Sequence, residues 1–254
     1  MTYLTSGIIL QSTPFREYDK LVSIYTHEYG KIVALARGTL KIKSKLCGHI
    51  EPLVHSSFMI AKGRTFDIVA QSSAEQVFPG IRRNFLKTIT ANIALEAVNA
   101  CTQEGLEDGM IFDHLRAFLA VLEHTDFIEN GLALETASAF LFRLLKLLGH
   151  GPEIQKCAQC KCAAEDHLLS AFDFAHSWLW CHRCYDGTVE GAVILNKHDV
   201  QILQNWTAHD FISETPLKNG CSATVLDVAR TSYRYLLDGR ELNSLVFLQR
   251  YCTI

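Results

Sequence analysis

Short apolar runs alternate with turn residues over the first 75 residues, in the pattern of a small all-β domain. Runs rich in β-branched and aromatic residues, bounded by glycine or proline, are typical of strands. The predicted strands cover residues 6–11, 21–27, 31–37, 50–61 and 65–71. Five short strands in about 70 residues favour a five-stranded oligonucleotide-binding (OB)-like β-barrel, with an SH3-like barrel as the alternative.

From residue 76 onward the spacing of apolar positions changes to the helical period. Apolar residues three and four positions apart predict helices over residues 81–101, 110–124, 132–148, 197–211 and 222–237. The third of these is apolar over most of its circumference, so we expect it at the centre of a helical bundle. The prediction is therefore an α+β multidomain fold. Its OB-like barrel covers residues 1–78 and its α-helical domain covers residues 79–254.

Two CxxC pairs, Cys157 with Cys160 and Cys181 with Cys184, interrupt the helical region. Each pair of thiolates can hold one side of a zinc ion, and a hairpin between the pairs completes a tetrahedron. Four thiolates leave no open position for water, so the spacing favours one structural zinc ion in a zinc-ribbon-like, four-cysteine module over residues 152–190. Redox-active pairs or buried free cysteines would give the same pattern. Three nearby residues can substitute for a ligand: Cys162, His176 and His182.

Composition places the chain among ordinary globular proteins. It has 254 residues, of which 48% are hydrophobic and 20% are charged. The first ten residues show no signal-peptide pattern, and nine cysteines are an odd number, so we expect reduced thiols in the cytoplasm. The net charge of −3 is uneven, because residues 1–80 carry nine Lys/Arg and six Asp/Glu. An anionic partner would therefore meet the N-terminal region.

Basic residues gather in the predicted loops of that region. Lys41, Lys43 and Lys45 alternate with apolar or small residues, which in an extended loop places them roughly 6–7 Å apart on one side. This spacing suits contacts with a nucleic-acid backbone that read no bases, and nearby tyrosines and phenylalanines offer stacking surfaces. A solvated basic loop is the alternative. The further candidate DNA contacts are Arg16, Lys20, Lys62, Arg64, Arg82 and Arg83.

Motifs of catalysis are missing from the sequence. His49-Ile50-Glu51 matches half of a zinc-deaminase signature, but Lys156 rather than proline precedes the first CxxC pair. No HExxH, Walker, GxSxG or GxGxxG motif is present. The sequence favours a binding protein. A zinc hydrolase or deaminase, and a zinc-ribbon module that binds RNA or protein, are the alternatives.

Several short motifs follow one another in a distinctive order along the whole chain. They are Arg16-Glu17-Tyr18-Asp19-Lys20, Thr26-His27-Glu28-Tyr29-Gly30-Lys31, Ala36-Arg37-Gly38, Lys43-Ser44-Lys45-Leu46, Glu51-Pro52, Gly149-His150-Gly151-Pro152-Glu153-Ile154 and Arg240-Glu241-Leu242-Asn243-Ser244. In these motifs the chain resembles the bacterial RecO family of recombinational repair proteins. The resemblance implies a non-enzymatic mediator that binds single- and double-stranded DNA and anneals complementary strands, including strands coated by single-stranded DNA-binding protein. It also implies RecR as a partner in loading RecA, and it adds Lys31 and Arg37 to the candidate phosphate contacts.

The resemblance also implies docking of the acidic, aromatic-ended tail of single-stranded DNA-binding protein. Such a tail requires an apolar pocket with a basic rim. Arg143 and Lys146 beside Phe140 or Phe142 are the predicted site, and the alternative is that the two cations form only the wet face of their helix. The apolar segment that holds these residues is broken by charges and is not expected to cross a membrane. We expect a nucleoid-associated protein of the cytoplasm.

Overall fold

The computed structural model describes residues 1–41, 44, 46–125, 130–164, 168–208 and 223–252. The chain divides into two compact units, Met1–Thr125 and Asp126–Ile254. Each unit has its own sheet and its own helices. The two units are therefore described separately.

Five strands form the sheet of the first unit. They are β1 (Thr2–Pro14), β2 (Lys20–Thr26), β3 (Gly30–Ala36), β4 (Val54–Ala61) and β5 (Asp67–Val77). They pair in the closed order β1-β2-β3-β5-β4, with β4 antiparallel to β1. A short parallel pairing joins Ala34 with Asp67 and Leu35 with Ile68, between β3 and β5. The predicted five-stranded sheet followed by helices is confirmed, and its closed order is the one that a small barrel requires.

Alternating burial explains why these segments form strands around one core. Along β4 every second residue, from Val54 to Ile60, is buried, as expected when successive side chains point to opposite faces. The inward residues include Ile9, Ile24 and Phe58, each at most 1% exposed. Burying one such side chain stabilises the fold by about 1.5–3 kcal/mol, so the sheet encloses its own hydrophobic core.

The turn between β2 and β3 depends on a glycine. Gly30 has a φ of 59°, and a Cβ built there would lie 1.9 Å from the carbonyl oxygen of Leu106. Thr26 fixes the same turn, since its Oγ1 donates to the Gly30 oxygen at 2.9 Å and accepts from the Tyr29 nitrogen at 3.1 Å. Only glycine combines this backbone with so close an approach.

Three helices complete the described part of the first unit: α1 (Pro79–Arg83), α2 (Phe85–Cys101) and α3 (Gly109–His124). The helix predicted over residues 81–101 is divided at Asn84, which is extended and caps α2 by accepting from the Lys87 nitrogen at 3.0 Å. An extended asparagine whose side chain satisfies a free N–H is a typical N-cap. The pattern of apolar residues runs through this cap, so periodicity alone predicted one helix.

These helices pack on the sheet within the compact unit Met1–Thr125, and the domain boundary at residue 78 stays a prediction. Asn99 on α2 accepts from Ser23 Oγ at 2.8 Å, and its carbonyl oxygen accepts from Lys31 Nζ at 2.7 Å. Tyr25 donates to the carbonyl oxygen of Asp108, the N-cap of α3, at 3.3 Å. Strands and helices share one body because buried polar contacts and apolar packing join them.

The second unit combines helices with a small sheet. Its described elements are α4 (Asn130–Leu147), β6 (Glu153–Cys157), β7 (Leu169–Asp173), β8 (Trp178–Cys181), β9 (Val193–Asn196), α5 (Lys197–Ala208), α6 (Ala223–Leu236) and α7 (Asn243–Cys252). Helix α4 packs against α5, α6 and α7, and Tyr233 donates to the Leu141 oxygen at 2.9 Å. The central position predicted for this helix is confirmed. Residues 211 and 222, where two predicted helices end or begin, lie outside the described residues.

The four strands of the second unit, here called the cysteine sheet, pair in the order β6-β8-β7-β9. β6 runs parallel to β8, whereas β7 is antiparallel to both β8 and β9. Across the described ranges no helix combines the length and apolar character needed to span a bilayer. α7 lies beyond the last helix that periodicity predicted, and the sequence analysis gave no bounds for the four strands β6–β9 of this unit.

Candidate metal centre and nucleic-acid interface

Two strands of the cysteine sheet each end at a cysteine. Cys157 ends β6 and Cys181 ends the neighbouring β8. Each strand is followed by a tight turn, in which the Lys161 nitrogen donates to the Cys157 oxygen at 3.1 Å and the Cys184 nitrogen donates to the Cys181 oxygen at 3.0 Å. Two turns of this kind at adjacent strand ends bring the second cysteine of each pair back towards the first.

Four thiols lie together at these turns. The Sγ atoms of Cys157, Cys160, Cys162 and Cys181 all lie within 4.8 Å of one another. The Cys160–Cys181 Sγ distance is 3.7 Å, close to the ~3.8 Å between sulfurs of a tetrahedron with zinc–sulfur bonds of about 2.3 Å. Cysteine thiolates suit zinc and other soft or borderline metals rather than magnesium or calcium. The arrangement could hold a metal ion.

The group of four differs from the predicted set at one position. Cys162 takes the place that the spacing gave to Cys184. Cys184 is nevertheless a neighbour of the group, since the side chains of Cys160, Cys181 and Cys157 contribute to the raised pKa of its thiol. Cys162 enters because the first turn carries the chain back over itself, where the Cys157 nitrogen donates to the Cys162 oxygen at 2.9 Å. Linear spacing showed only that Cys162 was near enough to replace a ligand.

Hydrogen bonds and burial act differently on the thiols of the cluster. The Cys162 side chain, whose Sγ is 3.0 Å from Cys160 Sγ, lowers the pKa of Cys160 to about 6. Burial, aided by neighbouring thiols, raises the pKa of Cys184 to about 12. Since the thiolate is the form that binds a metal, the lowered pKa of Cys160 favours its form as a ligand.

The position after Cys160 shows why many zinc ribbons carry glycine there. Lys161 has a φ of 61°, in the left-handed region that a residue with a Cβ seldom adopts. The chain thus accepts backbone strain at the turn that returns Cys162 to the cluster. Of the other substitute ligands, His176 is held by Asp173, with 2.8 Å between Nδ1 and Oδ2.

Aromatic and backbone contacts bring three loops to one end of the first unit's sheet. The rings of Phe15, after β1, and Phe66, before β5, lie 5.7 Å apart. After β3, the Leu40 nitrogen donates to the Tyr18 oxygen at 3.0 Å, and Lys41 Nζ lies 5.4 Å from the centre of the Tyr18 ring. These loops carry five exposed predicted contacts, which we call the basic rim: Arg16, Arg37, Lys41, Lys62 and Arg64.

Three predicted DNA contacts are engaged within the unit, and one of them, Lys62, stays exposed in the basic rim while its Nζ lies 3.0 Å from Asp67 Oδ2. The other two are largely covered. Lys20 Nζ lies 2.6 Å from Glu51 Oε1, and its side chain is only 13% exposed. Lys31 donates to the Asn99 oxygen, and burial lowers its pKa. The sequence shows that both are basic, but it does not show these local partners.

The remaining predicted contacts fall into two groups. Arg82 and Arg83 are exposed on α1, and Arg82 Nη2 donates to the Pro52 oxygen at 2.7 Å. Pro52 precedes β4, so this pair lies at the open end of the β4–β5 hairpin, away from the turn that carries Lys62 and Arg64. Lys43 and Lys45 lie outside the described residues.

A serine, a histidine and a glutamate meet on neighbouring strands, which the sequence did not predict. Ser6 Oγ lies 2.7 Å from His55 Nε2 and donates to Glu75 Oε2 at 2.7 Å. Glu75 Oε2 is also 3.2 Å from the same histidine nitrogen. A hydrolytic triad needs the acid on one ring nitrogen and the serine on the other. This cluster therefore lacks the geometry of a nucleophilic centre.

The phenylalanines of the predicted tail-docking site belong to the interior. Phe140 and Phe142 are both fully buried, and Lys146 donates to the Thr207 oxygen at 2.8 Å. The predicted apolar pocket is therefore not open at this place, because α4 is packed around most of its circumference. A groove of about 690 Å³ elsewhere in the unit combines apolar and basic residues: Leu134, Leu226 and Val246 line it together with Arg230 and Arg250, and one acidic residue, Asp227, also lines it.

The fold and the site define a two-unit α+β protein with a basic sheet end and a cluster of cysteines. The chain matches the family models "Recombination protein O N terminal" over residues 1–78 and "Recombination protein O C terminal" over residues 82–245. It therefore belongs to the RecO family.

Similar proteins carry the same family name. The chain is 28% identical to "DNA repair protein RecO" of Pelotomaculum thermopropionicum, over 98% of this chain and 94% of that protein. It is 27% identical to the protein of that name in Acetivibrio thermocellus, over 96% and 94% of the two chains. A third, from Syntrophus aciditrophicus, is 28% identical over 72% of this chain and 70% of its own.

Proposed function

We propose that this chain is a non-enzymatic recombination mediator that binds single- and double-stranded DNA and anneals complementary strands. The observation that supports this most strongly is the basic rim, with five exposed cations at the end of the sheet where three loops meet. OB-type folds bind oligonucleotides with the loops between their first two and last two strands. Two of the three loops of the rim, the one after β1 and the β4–β5 turn, correspond to these. The family membership agrees with this assignment.

The physical task of annealing fits such a surface. Two complementary strands repel each other, so a mediator must neutralise phosphates while leaving the base edges free to pair. Long arginine and lysine side chains contact phosphates without reading bases. Their binding is independent of sequence and weakens with salt, so strands can be exchanged once they have paired.

The cysteine cluster is assigned a structural zinc ion in this proposal. Cys157, Cys160 and Cys181, together with Cys162 or Cys184, would supply four thiolates. Four protein ligands close the coordination shell and stabilise the fold of the module. The chain's own contribution is to hold both turns at the ends of β6 and β8, where the ligands converge.

Partner proteins follow from the family and from the second unit. The groove between α4, α6 and α7 offers an apolar floor and two arginines to the acidic, aromatic-ended tail of single-stranded DNA-binding protein. Arg230 Nε donates to Glu241 at 3.0 Å, which holds one of these guanidinium groups in place. We further propose RecR as the partner with which the chain loads RecA, in the nucleoid region of the cytoplasm.

Strand annealing tests the proposal directly. Two labelled complementary oligonucleotides are mixed with the full chain, bare or coated with single-stranded DNA-binding protein, across a salt series. We expect acceleration in both cases, lost progressively as salt rises because phosphate contacts release counterions. Unchanged annealing rates at low salt would refute the mediator function.

A further inference from the structure

A cavity of about 520 Å³ lies beside β6 in the second unit. This volume falls in the range of about 300–1,000 Å³ found for ligand pockets. Lys156, Lys161, Trp178, Glu153 and Gln155 line most of it. β6 is an edge strand of the cysteine sheet, and beyond it Lys156 forms only an isolated bridge with Ala163.

Trp178 gives this cavity an aromatic surface. The residue is 44% exposed, whereas Trp206 in the same unit is only 4% exposed. Its ring stacks on that of His176, with centroids 5.0 Å apart and an angle of 28° between the planes. Large aromatic side chains left partly open to solvent often mark binding surfaces.

The indole is held in place through its histidine neighbour. Asp173, which is 3% exposed, lies with Oδ2 at 2.8 Å from His176 Nδ1, and its Oδ1 accepts from the Ala175 nitrogen at 2.9 Å. A buried carboxylate thus orients the imidazole, and the imidazole supports one face of the indole. A platform ordered in advance loses less conformational entropy when a ligand binds.

The charges around the platform favour an anionic chain. Lys156 and Lys161 are exposed at the cavity, and among the described residues that line it Glu153 alone is acidic. A planar aromatic surface beside two cations is the combination that proteins use to bind single strands, in which bases are free to stack. A duplex does not offer this contact, because its bases are already stacked on one another.

We propose that this cavity is a second contact for single-stranded DNA, in which a base stacks on Trp178 and flanking phosphates lie near Lys156 and Lys161. The inference rests on the proposed function and adds to it a place where single strands are distinguished from duplexes. The basic rim belongs to the first unit, whereas this contact belongs to the second. Stacking depends less on salt than phosphate contacts do, so the Trp178 contact should dominate the binding that survives at higher salt.

Tryptophan fluorescence of the full chain gives a direct test. A short oligothymidylate should quench the emission of the wild-type chain, whereas a duplex should quench it far less. Trp178→Phe should lose the quenching and keep most of the affinity, because phenylalanine can still stack. Trp178→Ala should weaken single-strand binding about five- to tenfold, as expected for the loss of one stacked base. Phe247→Ala, at an aromatic residue of similar exposure (49%), should change neither property.

Charge variants test the phosphate contacts of the same site. Lys156→Gln combined with Lys161→Gly should lower the slope of log affinity against log salt by about 1.4, or about 0.7 for each single-strand contact. Glycine suits the φ of 61° at position 161, so this variant removes the charge without straining the turn. Glu153→Gln should tighten binding.

The outcomes separate the two proposals. If the wild-type chain binds oligothymidylate but Trp178→Ala binds equally well and quenching persists in Trp178→Phe, the second contact is refuted and the mediator function stands. If an acidic peptide quenches Trp178 and the oligonucleotide does not, the cavity is a protein site and the inference is again refuted. If the wild-type chain binds no DNA, both proposals fail together.

Discussion

At the scale of single residues, burial changes the ionisation of a carboxyl group in the second unit. Glu135 lies in α4, which packs against α5, α6 and α7, and it is 4% exposed. Burial raises the pKa of its carboxyl group, because an interior of low dielectric disfavours the charged form. Such a carboxyl group does not oppose folding at low pH, where it is neutral in both the folded and the unfolded state. At higher pH it lowers the stability of the fold, because the unfolded state ionises more readily than the folded state.

We therefore predict a pH-dependent gain in stability for Glu135→Gln. Below the pKa of the unfolded carboxyl, about 4.3, variant and wild type should be equally stable because both side chains are neutral. As the pH rises through the folded-state pKa, the variant should become more stable by on the order of 1 kcal/mol. Chemical unfolding at several pH values measures this difference, and Glu190→Gln, at an exposed carboxyl, is the control. A gain that is the same at every pH would contradict the assignment.

At the scale of secondary-structure elements, the loops between strands carry the proposed DNA-binding surface. The loop after β1, the start of the loop after β3 and the β4–β5 turn each contribute to the basic rim. Phe15 and Phe66 fix two of these loops against each other, while Tyr18 joins the third. The cations themselves remain exposed, since the contacts that order the loops are mostly aromatic or made by the backbone.

Removing the rim charges should weaken DNA binding without unfolding the sheet. Replacing Arg16, Arg37, Lys41 and Arg64 by alanine should lower the slope of log affinity against log salt by up to about 2.8 for single strands, since each phosphate contact contributes about 0.7. Fluorescence polarisation of a labelled oligonucleotide across a salt series measures this slope.

The α1 pair provides the matched comparison for the rim. Arg82→Ala with Arg83→Ala removes two exposed cations at the other end of the β4–β5 hairpin. If only the rim contacts phosphates, the Arg82/Arg83 double variant should leave the slope of log affinity against log salt nearly unchanged. Equal slopes for the rim variant and the wild type would rule the rim out as the phosphate contact.

At the scale of the whole molecule, the two compact units are expected to unfold in two separate transitions. The first unit encloses its own sheet core, whereas the thiol cluster lies entirely within the second. A structural metal contributes its binding free energy to the fold that holds it. Removing the proposed metal should therefore act mainly on the second unit.

Chelation should lower the unfolding temperature of the second unit by several degrees or more and leave that of the first unit nearly unchanged. Calorimetry with and without chelator measures both transitions, and limited proteolysis identifies the unit that opens. Cys47→Ser, at an exposed cysteine of the first unit, should keep the full metal content.

Serine variants at the two competing positions identify the fourth ligand. Loss of metal in Cys162→Ser but not in Cys184→Ser would support the cluster as the structure groups it, and the reverse would support the spacing of the two CxxC pairs. Absence of bound metal in the wild-type chain would refute the structural zinc ion.

The amino-acid sequence by itself determined the strands of the first unit, most of the helices and the presence of a thiol cluster. Apolar periodicity predicted the five strands and most of the helices, because the two repeat lengths are set by backbone geometry and do not depend on distant contacts. Paired cysteines predicted a thiol cluster, since their short spacing confines them to one turn. The motifs near Arg16, Arg37 and Gly149 indicated the family that the whole-chain matches confirmed.

Tertiary structure decided which of these residues are available and which neighbours they have. Lys20 and Lys31 are bound to Glu51 and to Asn99, which lie 31 and 68 positions away. Phe140 and Phe142 are buried because other helices cover α4, and Trp178 is exposed because β8 turns one face outward. Such contacts depend on how segments distant in the sequence pack together. The local pattern of apolar and polar residues does not predict that packing.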